Sequence, residues 1–369
     1  MKKDVAVALS GGIDSSVAAL LLKKKGWNVT AVHLVMKEKG KTEDAQACRA
    51  VAKKINVPIH FLDIRKDFQK KLVDVVVDEY KRGKTPNPCV ICNEKIKFKA
   101  LFSFASSKGI KIVATGHYVR RIKKCLGEAG SSRQEWFIRR GRDEKKDQSY
   151  FLSHLKPAML ASCIFPVGEY EKSEVRRIAE KHNLPNYKRK ESQGLCFLEG
   201  TLEEFISLRV RENSGLILDQ NGKELGFHSG LSRYTIGQRK GIKIGQSGPY
   251  YVVSKDYEKN ELHVSNVGDE LRLFGDDLLL DPTTWNGERR LQSFTDIASR
   301  MIASKDLFLK IRYGHPEEPV LGLQIDPHGL IRVKLKRKIR AVTPGQAAVF
   351  YDKQGIVWLG TTVVSVFNS

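Results

Sequence analysis

Val5, Ala6, Val7, Ala8 and Leu9 form an unbroken apolar run that stops at Ser10-Gly11-Gly12. So short a run, carrying β-branched residues, predicts a strand buried on both faces of a parallel sheet. Asp14-Ser15-Ser16 then opens a segment whose apolar residues fall at Val17, Leu20, Leu21 and Leu22. Capping residues at such an opening mark a helix N-terminus. The alternation continues. Residues 28–36 (Val29, Ala31, Val32, Leu34, Val35), 57–62 and 111–115 predict strands. Residues 43–55, 68–80, 94–106 and 170–182 predict helices, the last ended by Asn183-Leu184-Pro185. Residues 119–142 predict a hairpin with a polar tip at 127–133. Strands alternating with helices make a doubly wound α/β fold, which takes its ligand at the carboxyl ends of the strands. After a short helix at 201–211 the period changes. Gly-punctuated strands dominate 215–268, and Leu307-Leu309-Ile311 and Ile331-Val333-Leu335 alternate with period two, with Pro, Gly and Asp between them. That pattern supports a small barrel.

A chain of 369 residues holds two or three domains and a sizeable core. No apolar run approaches the ~20 residues of a membrane span. Met1-Lys2-Lys3 resembles a secretory n-region, but the apolar run after it is short and leads into Ser10-Gly11-Gly12, so a cytoplasmic start is expected. The 64 Lys and Arg against 42 Asp and Glu give a net charge of +22. That excess favours a polyanionic partner, although a basic surface can also serve solubility alone. Six cysteines stand at 48, 89, 92, 125, 163 and 196. In a cytosolic chain they are reactive, metal-binding or buried thiols rather than a disulfide framework.

Two glycines between strand and helix let a ligand approach the backbone, and the free N–H groups of the helix start make an anion site. No Lys stands where the Gly-x-x-x-x-Gly-Lys-Ser/Thr loop requires one, so Ser10 to Ser16 is a different phosphate loop. It has the look of a pyrophosphate loop that cleaves ATP between the α and β phosphates. Leu34, late in the second strand, suits either an adenine face or the core. Further on, Pro86 and Pro88 predict an extended loop with no helix before Cys89. Cys92 then falls just before a helix start, where the macrodipole, Lys95 and Lys97 are expected to lower its thiol pKa. A Cys-x-x-Cys pair has three readings: redox, metal or neither. Gly116, at a strand end, permits a backbone contact with a nucleotide, and His117 beside it is structural or a ligand contact. The basic start of Lys145 to Leu152 suits a nucleic-acid backbone or a solvated helix start. Cys196 follows Gly194 in a short apolar run, where the plain reading is a core thiol.

Seven stretches occur in one order: residues 10–16, Thr-Pro-Asn-Pro-Cys-Val-Ile-Cys-Asn (85–93), Ala-Thr-Gly-His-Tyr (114–118), Lys-Asp-Gln-Ser-Tyr-Phe-Leu (146–152), Ser-Gln-Gly-Leu-Cys-Phe-Leu (192–198), Tyr-Thr-Ile-Gly-Gln-Arg-Lys-Gly (234–241) and Thr-Pro-Gly-Gln-Ala-Ala-Val-Phe-Tyr (343–351). Together they closely resemble the bacterial tRNA-specific 2-thiouridylase family. The resemblance implies an N-terminal adenine-nucleotide, pyrophosphate-loop Rossmann-like α/β domain (1–200), a small central domain (201–268) and a C-terminal β-barrel that contacts tRNA (269–369). It implies ATP-dependent thiolation at C2 of the wobble uridine in tRNAs for Lys, Glu and Gln. By the same resemblance Ala8, Leu9, Ser10, Gly11, Gly12, Ile13, Asp14, Ser15, Leu34 and Gly116 hold ATP, and Asp14 helps to hold Mg²⁺. Cys92 matches the nucleophile and Cys196 the persulfide carrier, with a Cys92–Cys196 disulfide left after turnover and an upstream sulfur-carrier protein as donor. Asn87, Pro88 and Cys89 flank the target base. His117, Lys146, Asp147, Gln148, Arg312, Tyr313 and Gln346 match tRNA-contacting positions. Cys89 stands where many members have Asp, a candidate general base, and residues 37–47 are shorter than in many members. Three readings compete: an iron–sulfur cluster on Cys89, Cys92 and Cys196, a synthetase that adenylates a small metabolite, and a non-enzymatic RNA-binding protein.

Overall fold

The computed structural model describes residues 3–36, 43–126, 133–190, 194–198, 200–242, 244, 249–266, 273–282 and 288–367. Most of the hairpin tip expected at 127–133, much of the shortened segment 37–47, and Ser192-Gln193 therefore lie outside the described residues. The chain divides into two units: Met1–Leu72 with Cys89–Phe197 and Gln354–Trp358, and Val73–Pro88 with Leu198–Lys353 and Leu359–Ser369.

In the first unit β1 (Asp4–Ala8) is the middle of a parallel sheet ordered β3-β2-β1-β4-β7. Its other strands are β2 (Asn28–Val35), β3 (Ile59–Asp63), β4 (Val113–Ala114) and β7 (Cys163–Ile164). Between β4 and β7 in the chain stands an antiparallel hairpin, β5 (Val119–Leu126) with β6 (Arg133–Arg140). Val5, Ala6 and Val7 are fully buried, as expected of a strand covered on both faces. Helix α1 (Ile13–Lys24) is buried along most of its length. Helix α2 (Glu43–Ile55) has the bounds its pattern predicts. It hides Ala45, Cys48, Val51, Ala52 and Ile55, carries acids in its first turn and lysines in its last, and ends on Asn56 in the left-handed region at φ 52°.

Helical segments differ from expectation where π-turns enter. The single helix expected over 68–80 is α3 (Arg65–Phe68), a π-turn at Gln69–Val73 and α4 (Asp74–Lys81). The extended loop expected up to Cys89 stops one residue early. Pro88 begins α5 (Pro88–Cys92), which runs through a π-turn at Asn93–Lys97 into α6 (Phe98–Ser107). Proline is tolerated in a first helical turn because its missing N–H has no intrahelical acceptor there. Later come α7 (Pro157–Leu160) and α8 (Lys172–Lys181), the second opened by a capping box of Glu171 and Glu174.

The second unit holds α9 (Leu202–Ser207), shorter than expected, and a four-stranded sheet ordered β10-β11-β8-β9. Those strands are β8 (Gly215–Leu218), β9 (Glu224–His228), β10 (Tyr250–Asp256) and β11 (Glu261–Asn266). The expected barrel is closed, in the order β12-β15-β14-β13-β16-β17. It is built from β12 (Phe274–Asp281), β13 (Phe308–Lys310), β14 (Glu318–Ile325), β15 (Ile331–Arg340), β16 (Ala347–Tyr351) and β17 (Val357–Phe367). Sequence reasoning missed α10 (Glu288–Ala303), which buries Phe294, Ala298 and Met301 at helical spacing.

Candidate active site

The loop after β1 is wired to itself. The Ser10 amide donates to Ser15 Oγ (3.1 Å), and the Ser15 and Ser16 hydroxyls donate to the Gly12 carbonyl (3.1 and 2.9 Å). Gly11 takes φ +83°, and a Cβ there would meet Arg189 Nη1 and the Asp44 carbonyl at 2.9 Å. The N–H groups of the first turn of α1 have no acceptor within the helix, so they form an anion cradle. Asn186 Nδ2 donates to the Gly11 carbonyl (2.8 Å) and to Ser16 Oγ (2.9 Å), while its Oδ1 is buried without a partner. Arg189 donates to the Gly11 carbonyl (3.2 Å) and pairs with Asp44.

Asp14, expected to help hold Mg²⁺, is already engaged. Its carboxylate accepts from Lys172 Nζ at 2.7 and 2.8 Å and from the Tyr118 hydroxyl at 2.6 Å, and Lys172 is 8% exposed. The loop's one carboxylate thus answers an ammonium and a phenol, and this donor set does not fit a protein-held Mg²⁺. Gly116 packs on the loop: a Cβ on it would stand 2.6 Å from the Ser15 amide nitrogen and 2.7 Å from the Asp14 carbonyl carbon, so only glycine lets this strand end lie against the loop's backbone. Leu34 is half-buried near the end of β2, paired with Leu62.

The turn after β4 leads from this loop to the thiols. Gly116 abuts α1, Tyr118 bonds Asp14, and His117 between them stacks on Phe98 with ring centroids 5.9 Å apart. His117 Nδ1 lies 2.8 Å from Thr115 Oγ1. Burial, with help from the Lys97 charge, takes the His117 imidazole down to about 3, so it is neutral at working pH. Lys97 in turn interacts electrostatically with Cys92, Cys196 and Cys89. Three cysteines that sequence order alone did not link thus share one electrostatic set around Lys97. Phe197, packed edge-on against Phe68 at 6.3 Å, anchors the turn that carries Cys196, whose side chain is exposed.

The expected acidic Cys92 is reversed. Cys92 sits inside a continuous helical stretch, not ahead of one, and is 2% exposed. Burial pushes its thiol up to about 12; Lys97 opposes the rise, and Cys196 and Cys89 add to it. Cys89 is raised the same way, by burial first and then Cys196, against Lys97. A thiol so held is no substitute for an Asp base. Of the other cysteines, Cys48 donates to the Leu9 carbonyl (3.2 Å), Cys163 is buried, and Cys125 is exposed on the hairpin.

Comparison with known proteins decides the family. Residues 3–200 match the family model described as the tRNA methyl transferase HUP domain, 203–266 its PRC-barrel domain, and 287–364 the aminomethyltransferase beta-barrel domain. The tRNA-specific 2-thiouridylase MnmA 1 of Geobacillus kaustophilus is 39% identical over 98% of this chain and 95% of its own. Those of Staphylococcus epidermidis (37%, 99% and 96%) and Exiguobacterium sibiricum (38%, 98% and 93%) are similarly close. The chain belongs to the tRNA-specific 2-thiouridylase family. It is thereby one of the tRNA sulfurtransferases.

For a 2-thiouridylase, several positions matched to RNA contact have side chains engaged within the fold. Asp147 is buried and accepts from the Gly141 and Ser149 amides (3.1 Å each) and the Ser149 hydroxyl (2.7 Å). Gln148 Oε1 accepts from the Tyr118 amide at 2.9 Å, whereas Lys146 is fixed through its backbone, its amide donating to Asp143 Oδ1. In the second unit, Gln346 is buried and donates to the Thr85 carbonyl at 2.7 Å, holding the segment that leads to Asn87 and Pro88. Arg312 Nη2 donates to the Ala341 carbonyl (3.1 Å) and Thr343 Oγ1 (3.2 Å). Tyr313 is exposed. Sequence reasoning named Lys97 only as a neighbour of Cys92, and it missed Lys172, Asn186 and Arg189. The last three reach the loop from about 160 to 180 positions away, and no local period marks them.

Proposed function

We propose that this chain thiolates C2 of the wobble uridine in tRNAs for Lys, Glu and Gln, using ATP to activate the base and a Cys92–Cys196 pair to deliver sulfur. One observation carries the reading: the turn from Thr115 to Tyr118 touches the phosphate loop through Gly116 and Tyr118, and its His117 stacks on Phe98 of the helical stretch that carries Cys89, Cys92 and Lys97. Activation and sulfur transfer thus share one wall within one unit. The uridine oxygen is a poor leaving group. Adenylation displaces pyrophosphate and the N3 proton, and leaves that oxygen as a phosphate ester. The outer sulfur of a persulfide on Cys196 attacks C2, and AMP departs with the former carbonyl oxygen. Cys92, as thiolate, then attacks Cys196 Sγ. The S–S bond breaks, its electron pair stays on the sulfur at C2, and N3 regains a proton. The Cys92–Cys196 disulfide that remains is reset by a dithiol reductant. A persulfide-bearing carrier protein reloads Cys196. The base must also leave the anticodon stack, at about a few kcal/mol, which phosphate contacts of a +22 chain can offset.

The matching family model is described by methyl transfer, whereas a buried Cys92 linked electrostatically to Cys89 and Cys196, in the unit that holds the phosphate loop, supports sulfur chemistry. The deciding experiment incubates the purified chain with ATP, tRNA and a persulfide donor, and measures 2-thiouridine and AMP by mass spectrometry. One AMP per 2-thiouridine is expected, with Cys92→Ser and Cys196→Ser inactive. Normal thiolation by either variant overturns the assignment. A second reading, an iron–sulfur cluster on Cys89, Cys92 and Cys196, is favoured by the joining of Cys89 to the same electrostatic set.

A further inference from the structure

Cys92 ends α5, and Lys97 ends the π-turn that follows. At about 100° per residue, five residues of unbroken α-helix would leave Lys97 roughly 140° round the axis from Cys92. The i→i+5 closure of a π-turn brings it back to the same face, and such turns often stand at functional sites. Cys89 lies one helical turn before Cys92, so the half-buried Lys97 shares its stretch with two thiols, and it interacts electrostatically with both and with Cys196 on its turn. Its charge also reaches His117, which is neutral. Among the described residues no ion pair joins Lys97 to a carboxylate.

Taking an ammonium from water without an anion is costly. The anions within its electrostatic reach are thiolates, and charge on Cys196 or Cys89 works against charge on Cys92. Desolvation works against the Lys97 charge, yet the three thiols outweigh it and the ammonium is held the more firmly.

We propose that Lys97 is a positioning residue whose ammonium is the counter-charge for the sulfur-transfer thiols, holding whichever of Cys92 and Cys196 is the anion. This rests on the thiol-pair reading above. Each shift of charge from sulfur to sulfur then happens beside one fixed cation. Lys97 acts through sulfur and does no bond-making itself.

The test uses the full chain with Lys97→Met, Lys97→Gln and Lys97→Arg. Alkylation of Cys92 by iodoacetamide is followed between pH 6 and 10 by peptide mass spectrometry, beside single-turnover thiolation from persulfide-loaded enzyme. Removing the charge is expected to slow Cys92 alkylation at pH 8 by about tenfold or more and move its pH profile upward. Lys97→Arg should restore most of that rate. Circular dichroism and thermal melting of each variant, expected to match the parent, show that each is folded. A Cys92 profile unmoved in both neutral variants overturns the proposal, as does failure of Lys97→Arg to rescue. Loss of the thiol-pair reading shows separately, as normal thiolation by Cys92→Ser or Cys196→Ser.

Discussion

Asp14→Ala removes the carboxylate that answers a buried ammonium. Lys172 is 8% exposed, and two of its Nζ contacts are to Asp14, at 2.7 and 2.8 Å. Breaking a fully buried pair by removing one partner costs about 3–5 kcal/mol. The Asp14 side chain keeps 32% of its exposure, so screening reduces the figure to roughly 2 kcal/mol. Asp14→Ala should therefore lose stability together with adenylation, whereas a residue that touched nucleotide alone would lose only the second. Lys172→Met should cost less, because it leaves a half-exposed carboxylate that water and the Tyr118 hydroxyl still reach. The double variant should be more stable than the sum of the single effects predicts, by about 1–2 kcal/mol, since no unpaired charge is left behind. Chemical denaturation of the parent, both single variants and the double variant closes the cycle, with pyrophosphate release and tRNA filter binding measured alongside. Additive losses would refute the pair as an energetic unit. A fall in tRNA affinity as large as the fall in activity would refute Asp14 as a residue of the nucleotide loop alone.

Three shorter expectations follow from other contacts. His117 titrates near 3 when folded and near 6.5 when unfolded, so the unfolded chain binds the extra proton between those values; stability from this group is present above about pH 6.5 and lost as pH falls towards 3, and His117→Gln should flatten that acid limb of a denaturation-against-pH curve. Arg312→Ala should weaken tRNA binding and reduce the salt slope by about one; an unchanged slope would leave Arg312 as a clamp on Ala341 and Thr343 only. Cys89→Ser and Cys89→Asp should keep substantial 2-thiouridine formation without iron, and an inactive, iron-depleted Cys89→Ser beside an active, iron-loaded parent would establish the cluster instead.

What the sequence made legible were features written in neighbouring residues. The apolar run at Val5, the Gly11-Gly12 break and the helix after Asp14 are local, and the structure has them within a residue or so. Helix α2 keeps its expected bounds because its acidic start, its apolar stripe and Asn56 all agree. Cys92 was misjudged because the dipole and lysine arguments took it as exposed at a helix start; buried within a helical stretch, it answers to desolvation first. Pro88 misled for a related reason, since the rule that bars proline from a helix interior does not hold in the first turn. Helix α10 was hidden by its setting among β-alternations, its stripe of Phe294, Ala298 and Met301 too sparse to stand out.

Lys172, Asn186 and Arg189 show why a loop motif is not yet a site. The loop offers backbone N–H groups to an anion, but its own carbonyl at Gly11 and its carboxylate at Asp14 point the wrong sign of charge at one. Asn186 and Arg189 occupy the first, and Lys172 neutralises the second. All three come from residues 172–189, helix α8 and the segment after it, which also leads towards Cys196. The stretch that braces the cradle thus runs on towards Cys196, while the turn at 115–118 packs on the loop through Gly116 and Tyr118 and stacks His117 on Phe98 of α6. On the proposed mechanism an activated base that met no sulfur would be lost to water, and supports drawn from two short stretches of one unit would tie the readiness of each half-reaction to the other.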